Sequence, residues 1–412
     1  MSATHAREHD LPYVRAHFPA VSDEWALFDN AGGSVPLFGV VERVREYMRF
    51  WQVNLGASYA QSARATELVA DGTRAMATLV NADPDEIVLG SSSTLLIRML
   101  ALGLRFEPGD EIVVTDLDHE SNIGPWRELA ERGAVIREWK FDPGRGELTL
   151  AELEPLLNAR TRLVCFTQVS NLIGTIHDAA AFVRRIHEAG ALACVDGVAF
   201  APHRRVDMRA LDADFYLVSL YKLSGPHVGL LYARRDLLRA TRSLNHFFLG
   251  EDLGAYRLQP GIVNPELVAS LPALLEYYVE LGKHHSAGRS EDTSAQLESA
   301  FATIAGYEAQ LSQPLLDFLS TRKGVRLLGL ADAAPARRVP TISFTVDGRD
   351  SGDIVRALDA AQVGTRSGHF YSYRAADVLG VLPQNGVVRV SMVHYNTRAE
   401  VARLLAALDA IL

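Results

Sequence analysis

Cysteine is scarce in this chain of 412 residues, which contains only Cys165 and Cys194. Two cysteines are too few for a disulfide framework or for a cysteine-rich metal site, and we predict neither. Basic residues are also few, since 41 Lys and Arg stand against 50 Asp and Glu, for a formal net charge of -9. A nucleic-acid-binding protein shows a basic face instead. The richest apolar stretches carry Asp196 and Glu276, so we expect no membrane span.

The composition is that of a globular protein, with 48% hydrophobic and 22% charged residues. The length corresponds to two or three domains and is sufficient for a large core. The first ten residues are polar and lack the apolar segment of a secretory signal. These features predict a cytoplasmic enzyme.

Short apolar runs alternate with helical patterns from about residue 86 to residue 233. This alternation predicts a mostly parallel sheet with helices on both faces, whose ligands bind at the carboxyl ends of the strands. The predicted strands are Glu86–Gly90, Glu111–Thr115, Arg162–Thr167, Ala191–Asp196 and Phe215–Ser219, and the predicted helices are Thr94–Leu104, Ser121–Arg132 and Ala179–Ala189.

The pattern changes after about Arg235, where long helical segments precede two strand-like segments. This order predicts a second, smaller α+β domain. We divide the chain into an N-terminal arm (1–25), a large domain (26–285) and a small C-terminal domain (286–412). The predicted helices here are Pro265–Leu281, Ser294–Arg322, Asp353–Ala361 and Arg398–Leu412, and the strands are Thr341–Val346 and Val387–Met392.

A lysine follows directly on the apolar strand that ends at Ser219. The segment reads Ser-Leu-Tyr-Lys-Leu-Ser-Gly-Pro-His-Val-Gly, so Lys222 is followed by a turn containing glycine and proline. Burial at the carboxyl end of a strand lowers the pKa of an amine. We therefore predict that Lys222 is a nucleophile rather than a surface lysine in a turn.

The Lys222 segment resembles the lysine motif of class V, fold-type I pyridoxal-phosphate enzymes. This family includes cysteine desulfurases, selenocysteine lyases and isopenicillin-N-epimerase-like proteins. The resemblance extends from Leu27-Phe-Asp-Asn-Ala-Gly-Gly33 to Val393-His-Tyr-Asn-Thr397. It implies an α/β fold-type I transferase with a mostly parallel seven-stranded sheet, a small C-terminal α+β domain, and a homodimer.

The resemblance also implies that pyridoxal 5'-phosphate is the cofactor and that Lys222 carries it as a Schiff base. Asp196, at the end of a central strand, would keep the pyridine nitrogen protonated, so that the ring can accept the electrons of a carbanion. Ser93 and Thr94 lie where a strand leads into a helix, and the N–H groups of such a helix start suit a phosphate.

The remaining cofactor contacts are assigned by resemblance as well. Ser219 and Tyr221 would contact the phosphate from the other side, with Tyr221 where the family usually has histidine. His119, in Asp-His-Glu-Ser-Asn, matches the histidine that stacks on the pyridine ring and moves protons. Asn171 matches an asparagine near the phenolic oxygen of the cofactor and the substrate carboxylate.

Arg389 falls where the family binds the α-carboxylate of its amino-acid substrate. The guanidinium fork binds a carboxylate bidentately, which lysine cannot do. Arg366 is the alternative candidate for this contact. The α-proton would then be removed by Lys222 or by His119.

The loop Arg366–Tyr371 departs from the desulfurase pattern, because Tyr371 lies at or beside the position of the cysteine that forms a persulfide. Cys165 and Cys194 lie in predicted core strands and cannot replace it. We therefore expect no persulfide relay.

Two further positions differ from the family pattern. Ala199 stands where glutamine usually contacts the phenolic oxygen, a contact that His203 could supply. Ile262 stands where a threonine from the partner subunit often contacts the phosphate.

The resemblance leaves the outcome of the reaction open. We favour carbon–sulfur β-elimination, because the nearest family members act on sulfur amino acids and elimination needs no loop thiol. A class V aminotransferase and an amino-acid epimerase are the alternatives. A non-catalytic pyridoxal-phosphate-binding partner of a sulfur-assembly system is a fourth hypothesis, against which the intact set of Lys222, Asp196, His119 and Arg389 argues.

Overall fold

The computed structural model describes residues 9–250, 253–261, 263–286 and 291–412. Within them the strands are β1 (Ala26–Leu27), β2 (Ile87–Gly90), β3 (Glu111–Thr115), β4 (Val135–Trp139), β5 (Thr161–Thr167), β6 (Leu192–Asp196), β7 (Phe215–Ser219), β8 (Gly229–Ala233), β9 (Val325–Leu328), β10 (Thr341–Val346), β11 (Val363–Gly364), β12 (Arg366–Gly368) and β13 (Val387–Ser391). The α-helices are α1 (Leu11–Arg15), α2 (Phe38–Phe50), α3 (Ala60–Val80), α4 (Ser93–Gly103), α5 (Gly124–Arg127), α6 (Leu150–Leu153), α7 (Ala179–Glu188), α8 (Met208–Leu211), α9 (Arg235–Ala240), α10 (Pro265–Val268), α11 (Pro272–His285), α12 (Thr293–Thr321), α13 (Ser351–Asp359), α14 (Tyr373–Val378) and α15 (Arg398–Ile411).

A seven-stranded sheet in the order β2-β8-β7-β6-β5-β3-β4 lies at the centre of the fold. Every neighbouring pair is parallel except the two pairs made by β8, which runs antiparallel to both β7 and β2. The predicted mostly parallel sheet is therefore confirmed. The antiparallel strand β8 was missed, because it follows the Lys222 turn without an intervening helix.

Alternate side chains of the central strands point into two separate cores. On β5, Val164 and Phe166 pack into one core, whereas Leu163 and Cys165 pack into the other. All four side chains are fully buried. Burial on both faces explains why these strands are continuous apolar runs in the sequence.

A second sheet, β12-β13-β10-β9, is antiparallel and lies in the C-terminal part of the chain. It shares a core with α12, α13 and α15. The ladder between β12 and β13 places Arg366 opposite Arg389. The N-terminal segment reaches this region through β1, which pairs in parallel with β11. The domain boundaries proposed above remain a prediction.

Two predicted helices are interrupted by proline. The segment predicted as Ser121–Arg132 consists of a 3₁₀ turn, the short α5 and a second 3₁₀ turn, since Pro125 opens a new helix. The segment predicted as Pro265–Leu281 is divided into α10 and α11 because Pro272 can begin a helix but cannot continue one. None of the described helices is long and apolar enough to cross a membrane.

A cluster of histidines fastens the N-terminal segment to the rest of the protein. The His9 ring stacks on Tyr307 at 4.0 Å, and its Nε2 hydrogen-bonds the His394 carbonyl at 2.9 Å. Burial lowers the pKa of His9 to about 4 and that of His394 well below its usual value. The Nδ1 atoms of both rings are buried without partners in the described part of the chain. Both imidazoles are therefore neutral at pH 7.

Acidification is expected to destabilise the fold through this cluster. Because the folded-state pKa of His9 lies below its unfolded value, the stability it contributes is complete above pH 6.5 and is lost as the pH falls towards 4. Between pH 7 and pH 5 this one group should lower the free energy of unfolding by roughly 2 kcal/mol. Denaturant unfolding at both pH values would show a smaller pH difference in His9→Phe, and equal differences would contradict the assignment.

Candidate active site

The predicted site residues converge at the carboxyl ends of β5, β6 and β7, beside the start of α4. Parallel strands bring their carboxyl ends to one edge of a sheet, where ligands of such folds bind. One cavity there is lined by Ser93, Thr94, His119, Ser121, Thr167, Val169, Asn171, Asp196, Val198, Ala199, Ser219, Tyr221 and Lys222. An adjoining cavity shares four of these residues and adds Arg366, Phe370, Tyr371 and Arg389.

Lys222 lies in a 3₁₀ turn directly after β7, as the sequence indicates. Its surroundings lower the pKa of the amine to about 8, chiefly through burial and further through the charge of Arg389, while Asp196 and Asp29 act in the opposite direction. No hydrogen bond among the described residues engages this amine. The amine is therefore available to a ligand in the cavity.

The start of α4 forms one corner of the cavity. Ser92 caps the helix by accepting the N–H of Leu95 at 3.1 Å. The Ser93 hydroxyl lies 2.8 Å from the Ser219 hydroxyl at the end of β7. A Cβ atom at Gly229 would approach the backbone of Ser92 to 2.4 Å, so only glycine allows β8 this close to the helix. The free N–H groups and hydroxyls of this corner suit a phosphate.

Asp196 ends β6 with its carboxylate buried in the cavity wall. One of its oxygens accepts the N–H of Val198 at 2.9 Å. Burial raises the pKa of Asp196, while the Val198 bond and the charge of Lys222 oppose the rise. A protonated ring nitrogen beside this carboxylate would supply the missing counter-charge.

His119 follows β3 and lines both cavities. Its Nδ1 accepts the backbone N–H of Ser121 at 3.1 Å, so the proton of the neutral ring is assigned to Nε2. Burial, together with the charges of Lys222 and Arg389, lowers the pKa of His119 to about 4. The imidazole is neutral at pH 7 and is a weak base.

Asn171 is occupied by the loop that follows β12. Its Nδ2 donates to the Phe370 carbonyl at 2.9 Å, and its Oδ1 accepts the Ser372 hydroxyl at 2.8 Å. Both ends of the amide therefore hold the loop in this structure. The expected contact of Asn171 with cofactor and substrate stays a prediction, and it requires one of these bonds to exchange.

The loop carries two aromatic residues in an unusual backbone conformation. Phe370 and Tyr371 have φ values of 50° and 61°, which bulky side chains adopt only when other contacts impose them. The imposing contacts are the Asn171 bond and the Glu120 N–H, which donates to the Tyr371 carbonyl at 2.8 Å. The Tyr371 ring lies 5.3 Å from the His119 ring.

The two thiols lie away from this loop, inside the central sheet. Cys165 of β5 and Cys194 of β6 are register partners, and both are free and fully buried. Burial raises the pKa of the Cys165 thiol, which disfavours the reactive thiolate. Their expected position in core strands is confirmed.

Ala199, one of the positions that depart from the family pattern, lines the cavity. His203 was suggested as a replacement for the glutamine that is missing at Ala199. It does not line the cavity, and the suggestion is wrong. Its Nδ1 hydrogen-bonds Glu308 of α12 at 2.8 Å, because the chain turns away from the cavity before it reaches this residue. Ile262 lies outside the described residues.

Two residues near the site have no counterpart in the sequence-based prediction. Asp29 pairs with Arg389, with Oδ1 2.9 Å from Nη2. Asp118 is buried behind His119 and accepts hydrogen bonds from Thr115 and Asn122. Burial and the charge of Asp196 raise the pKa of Asp118 to about 8. An acidic residue beside a candidate histidine was the only available signal for Asp118.

The cavity fits pyridoxal phosphate in each of its chemical groups. An unbonded amine faces the cavity, a buried carboxylate needs a cationic partner, and a helix start with two hydroxyls offers donors to a phosphate. A neutral imidazole lies against the same space.

Comparisons with known proteins agree with this interpretation. The family described as "Aminotransferase class-V" matches residues 26–404. The aminotransferase-like protein FGM3 of Gibberella zeae is 39% identical, over 97% of this chain and 98% of its own. The cysteine desulfurase-like protein ustD of Aspergillus flavus is 36% identical, over 98% and 90%. The crystal structure of the cysteine desulfurase CsdA of Escherichia coli superposes with a TM-score of 0.82 at 27% identity, over 97% of this chain and 98% of the other. The chain belongs to the class V aminotransferase family of fold-type I enzymes and is a pyridoxal-phosphate-dependent enzyme.

Proposed function

We propose that the protein is a carbon–sulfur lyase that acts on a sulfur-containing amino acid by β-elimination without a protein persulfide. The observation that carries this proposal is the convergence of Lys222, Asp196, His119 and Arg389 on adjoining cavities whose described lining contains no thiol. The desulfurase-like relative and the desulfurase structure support a sulfur amino acid as substrate. A screen of amino acids for release of sulfide and pyruvate tests the proposal.

In this proposal each chemical group of pyridoxal phosphate is bound by a residue of the cavity. Lys222 would bind the carbonyl carbon, Asp196 the ring nitrogen, and His119 one face of the ring. The phosphate would be held by Ser93, Thr94, Ser219 and Tyr221. When bound, pyridoxal phosphate takes up the electron pair that remains when a substrate loses its α-proton.

Lys222 is the better candidate for moving that proton. Its amine has a pKa of about 8, whereas the His119 pKa is about 4, so the lysine is the stronger base by several powers of ten. Nζ would accept the proton from Cα as the Cβ–S bond breaks and sulfide leaves. Hydrolysis of the resulting enamine would yield pyruvate and ammonia. His119 would support the ring and donate from Nε2.

Arg389→Lys should raise KM for the amino acid by roughly ten- to a hundredfold, the loss expected for one hydrogen bond to a charged group. The variant keeps a positive charge but loses the fork of donors. Steady-state kinetics would be compared with Arg326→Lys, a change on β9 of the same sheet outside both cavities. If KM and kcat are unchanged in Arg389→Lys, the clamp lies elsewhere, and Arg366 is the next candidate.

The double variant Cys165→Ala, Cys194→Ala should keep most of the activity. Both thiols are enclosed in the sheet, so only a modest loss of stability from the deleted core atoms is expected. Activity and thermal unfolding are the measurements. Turnover that disappears while the variant remains folded would implicate a thiol in catalysis.

Transamination is the second candidate, because FGM3 is an aminotransferase-like protein. It would use the same residues, with pyridoxal phosphate, when bound, supplying the carrier for the amino group, and the product would be the keto acid of the substrate with its sulfur retained. Detection of the sulfur-containing keto acid, together with absence of sulfide, would favour this candidate.

We further propose a homodimer, which the fully exposed Phe247 and the exposed Phe248 support, since such side chains favour an interface.

A further inference from the structure

The guanidinium of Arg389 is buried but is not fully satisfied. Its Nη2 donates to Asp29 Oδ1 at 2.9 Å and its Nη1 donates to the Asn171 carbonyl at 3.2 Å. The Phe370 ring covers one face of the guanidinium, with the ring centroid 3.6 Å from Cζ of Arg389. Nε is buried and has no partner among the described residues. The residue is 2% exposed and lines the cavity beside Lys222, so an unused donor remains where a carboxylate can bind.

Asp29 lies between Arg389, which is buried, and Arg366, which is exposed. Its side chain is 34% exposed, and its second oxygen lies 4.0 Å from Nη1 of Arg366, whose side chain is 64% exposed. The ladder of β12 and β13 fixes the two arginines opposite each other. A small movement would therefore transfer the Asp29 carboxylate from the buried arginine to the exposed one without leaving it unpaired.

A buried guanidinium without a counter-charge is strongly destabilising, so the substrate-free protein needs an anion at Arg389. Asp29 supplies it. An arriving substrate carboxylate brings a second negative charge to the same guanidinium, and like charges in such proximity repel each other. One of the two carboxylates must yield, and Asp29 has an alternative cation within reach in Arg366.

We propose that Asp29 is a resident counter-ion that holds the place of the substrate carboxylate on Arg389 and moves towards Arg366 when substrate binds. The proposal rests on the assignment of Arg389 as the carboxylate clamp in the proposed function. Asp29 is then a positioning residue: it keeps the clamp folded when empty and lowers the affinity of the site for carboxylates.

Asp29→Asn keeps the shape of the side chain and removes the competing charge. In the purified holoenzyme, propionate should bind roughly tenfold more tightly to this variant than to the wild type, the range of one charge-assisted contact. Propionamide, which is uncharged and of the same shape, should bind equally to both. Isothermal titration measures the two dissociation constants, and with a turned-over amino acid KM should fall more than kcat changes.

Arg366→Gln is the second variant, since an exposed ion pair at 4.0 Å contributes little to stability. With its alternative partner removed, Asp29 should stay on Arg389, and propionate should bind severalfold more weakly. This loss should largely disappear in the Asp29→Asn background, because the arginine acts through the aspartate. Additive effects of the two changes would overturn the exchange.

Arg389→Gln separates this proposal from the proposed function. If the Arg389→Gln enzyme binds propionate as the wild type does, Arg389 is not the clamp and both fail. If Arg389→Gln loses propionate while Asp29→Asn binds it equally or more weakly, the clamp stands and the exchange is wrong. Loss in Arg389→Gln together with a gain in Asp29→Asn is the predicted result.

Discussion

Lys222→Ala is expected to lower turnover by ~10³-fold or more, because the variant loses the only strong base that the described lining of the cavity offers to the α-proton. The neutral His119, with a pKa of about 4, cannot replace an amine with a pKa of about 8. The cofactor should still bind through Asp196 and the helix start, but without a covalent link. Retained cofactor after gel filtration and lost turnover are the two measurements.

The chain contains four lysines, which makes the attachment site easy to map. Borohydride reduction of the wild-type holoenzyme should fix the cofactor to the peptide that contains Lys222. Lys283→Ala is a matched control, since Lys283 forms an exposed ion pair with Glu280. A label on Lys140, Lys283 or Lys323 would show that the site is assigned to the wrong lysine.

Asp196→Ala should lower the rate of α-proton removal by roughly 10³-fold or more, which corresponds to about 4 kcal/mol in the barrier. Asp196 would keep the ring nitrogen of bound pyridoxal phosphate protonated, and without this carboxylate the ring would accept electrons poorly. Exchange of the substrate α-proton with deuterium, followed by NMR, measures this step separately from product release.

Asp116→Asn is the matched control for this change. Asp116 is a buried carboxyl directly after β3, which β5 separates from β6, but it accepts the Phe141 N–H and does not line the cavity. This variant is expected to exchange the proton as the wild type does. Near wild-type exchange in Asp196→Ala would mean that the ring nitrogen is not held by Asp196.

Five strands of the central sheet could be predicted from the sequence because each is a short apolar run bounded by turn residues, whereas β4 and β8 were not predicted. The bounds of β3 and β7 match the prediction, and those of β5 and β6 differ by one residue. Asp196 and Lys222 were recognisable for the same reason, since each lies at the end of such a run. Local sequence therefore indicated the two residues that we propose to act on the cofactor.

Contacts between distant segments could not be predicted in this way. Asp29 and Arg389 are 360 positions apart, and Asn171 and Phe370 are 199 apart. Nothing in either local sequence indicates that the loop would occupy both ends of the Asn171 amide. His203 shows the converse error, because it was offered as a replacement for the glutamine missing at Ala199 but hydrogen-bonds Glu308 of α12 instead.

The fate of sulfur from L-cysteine tests the central claim most directly. The purified holoenzyme would be incubated with L-cysteine, and pyruvate, ammonia, sulfide and L-alanine would be quantified. The mass of the intact protein would be measured by mass spectrometry. The account predicts pyruvate, ammonia and sulfide in equal amounts, with no sulfur added to the protein. L-alanine as the product, together with a persulfide on Cys165 or Cys194, would contradict it and indicate a cysteine desulfurase.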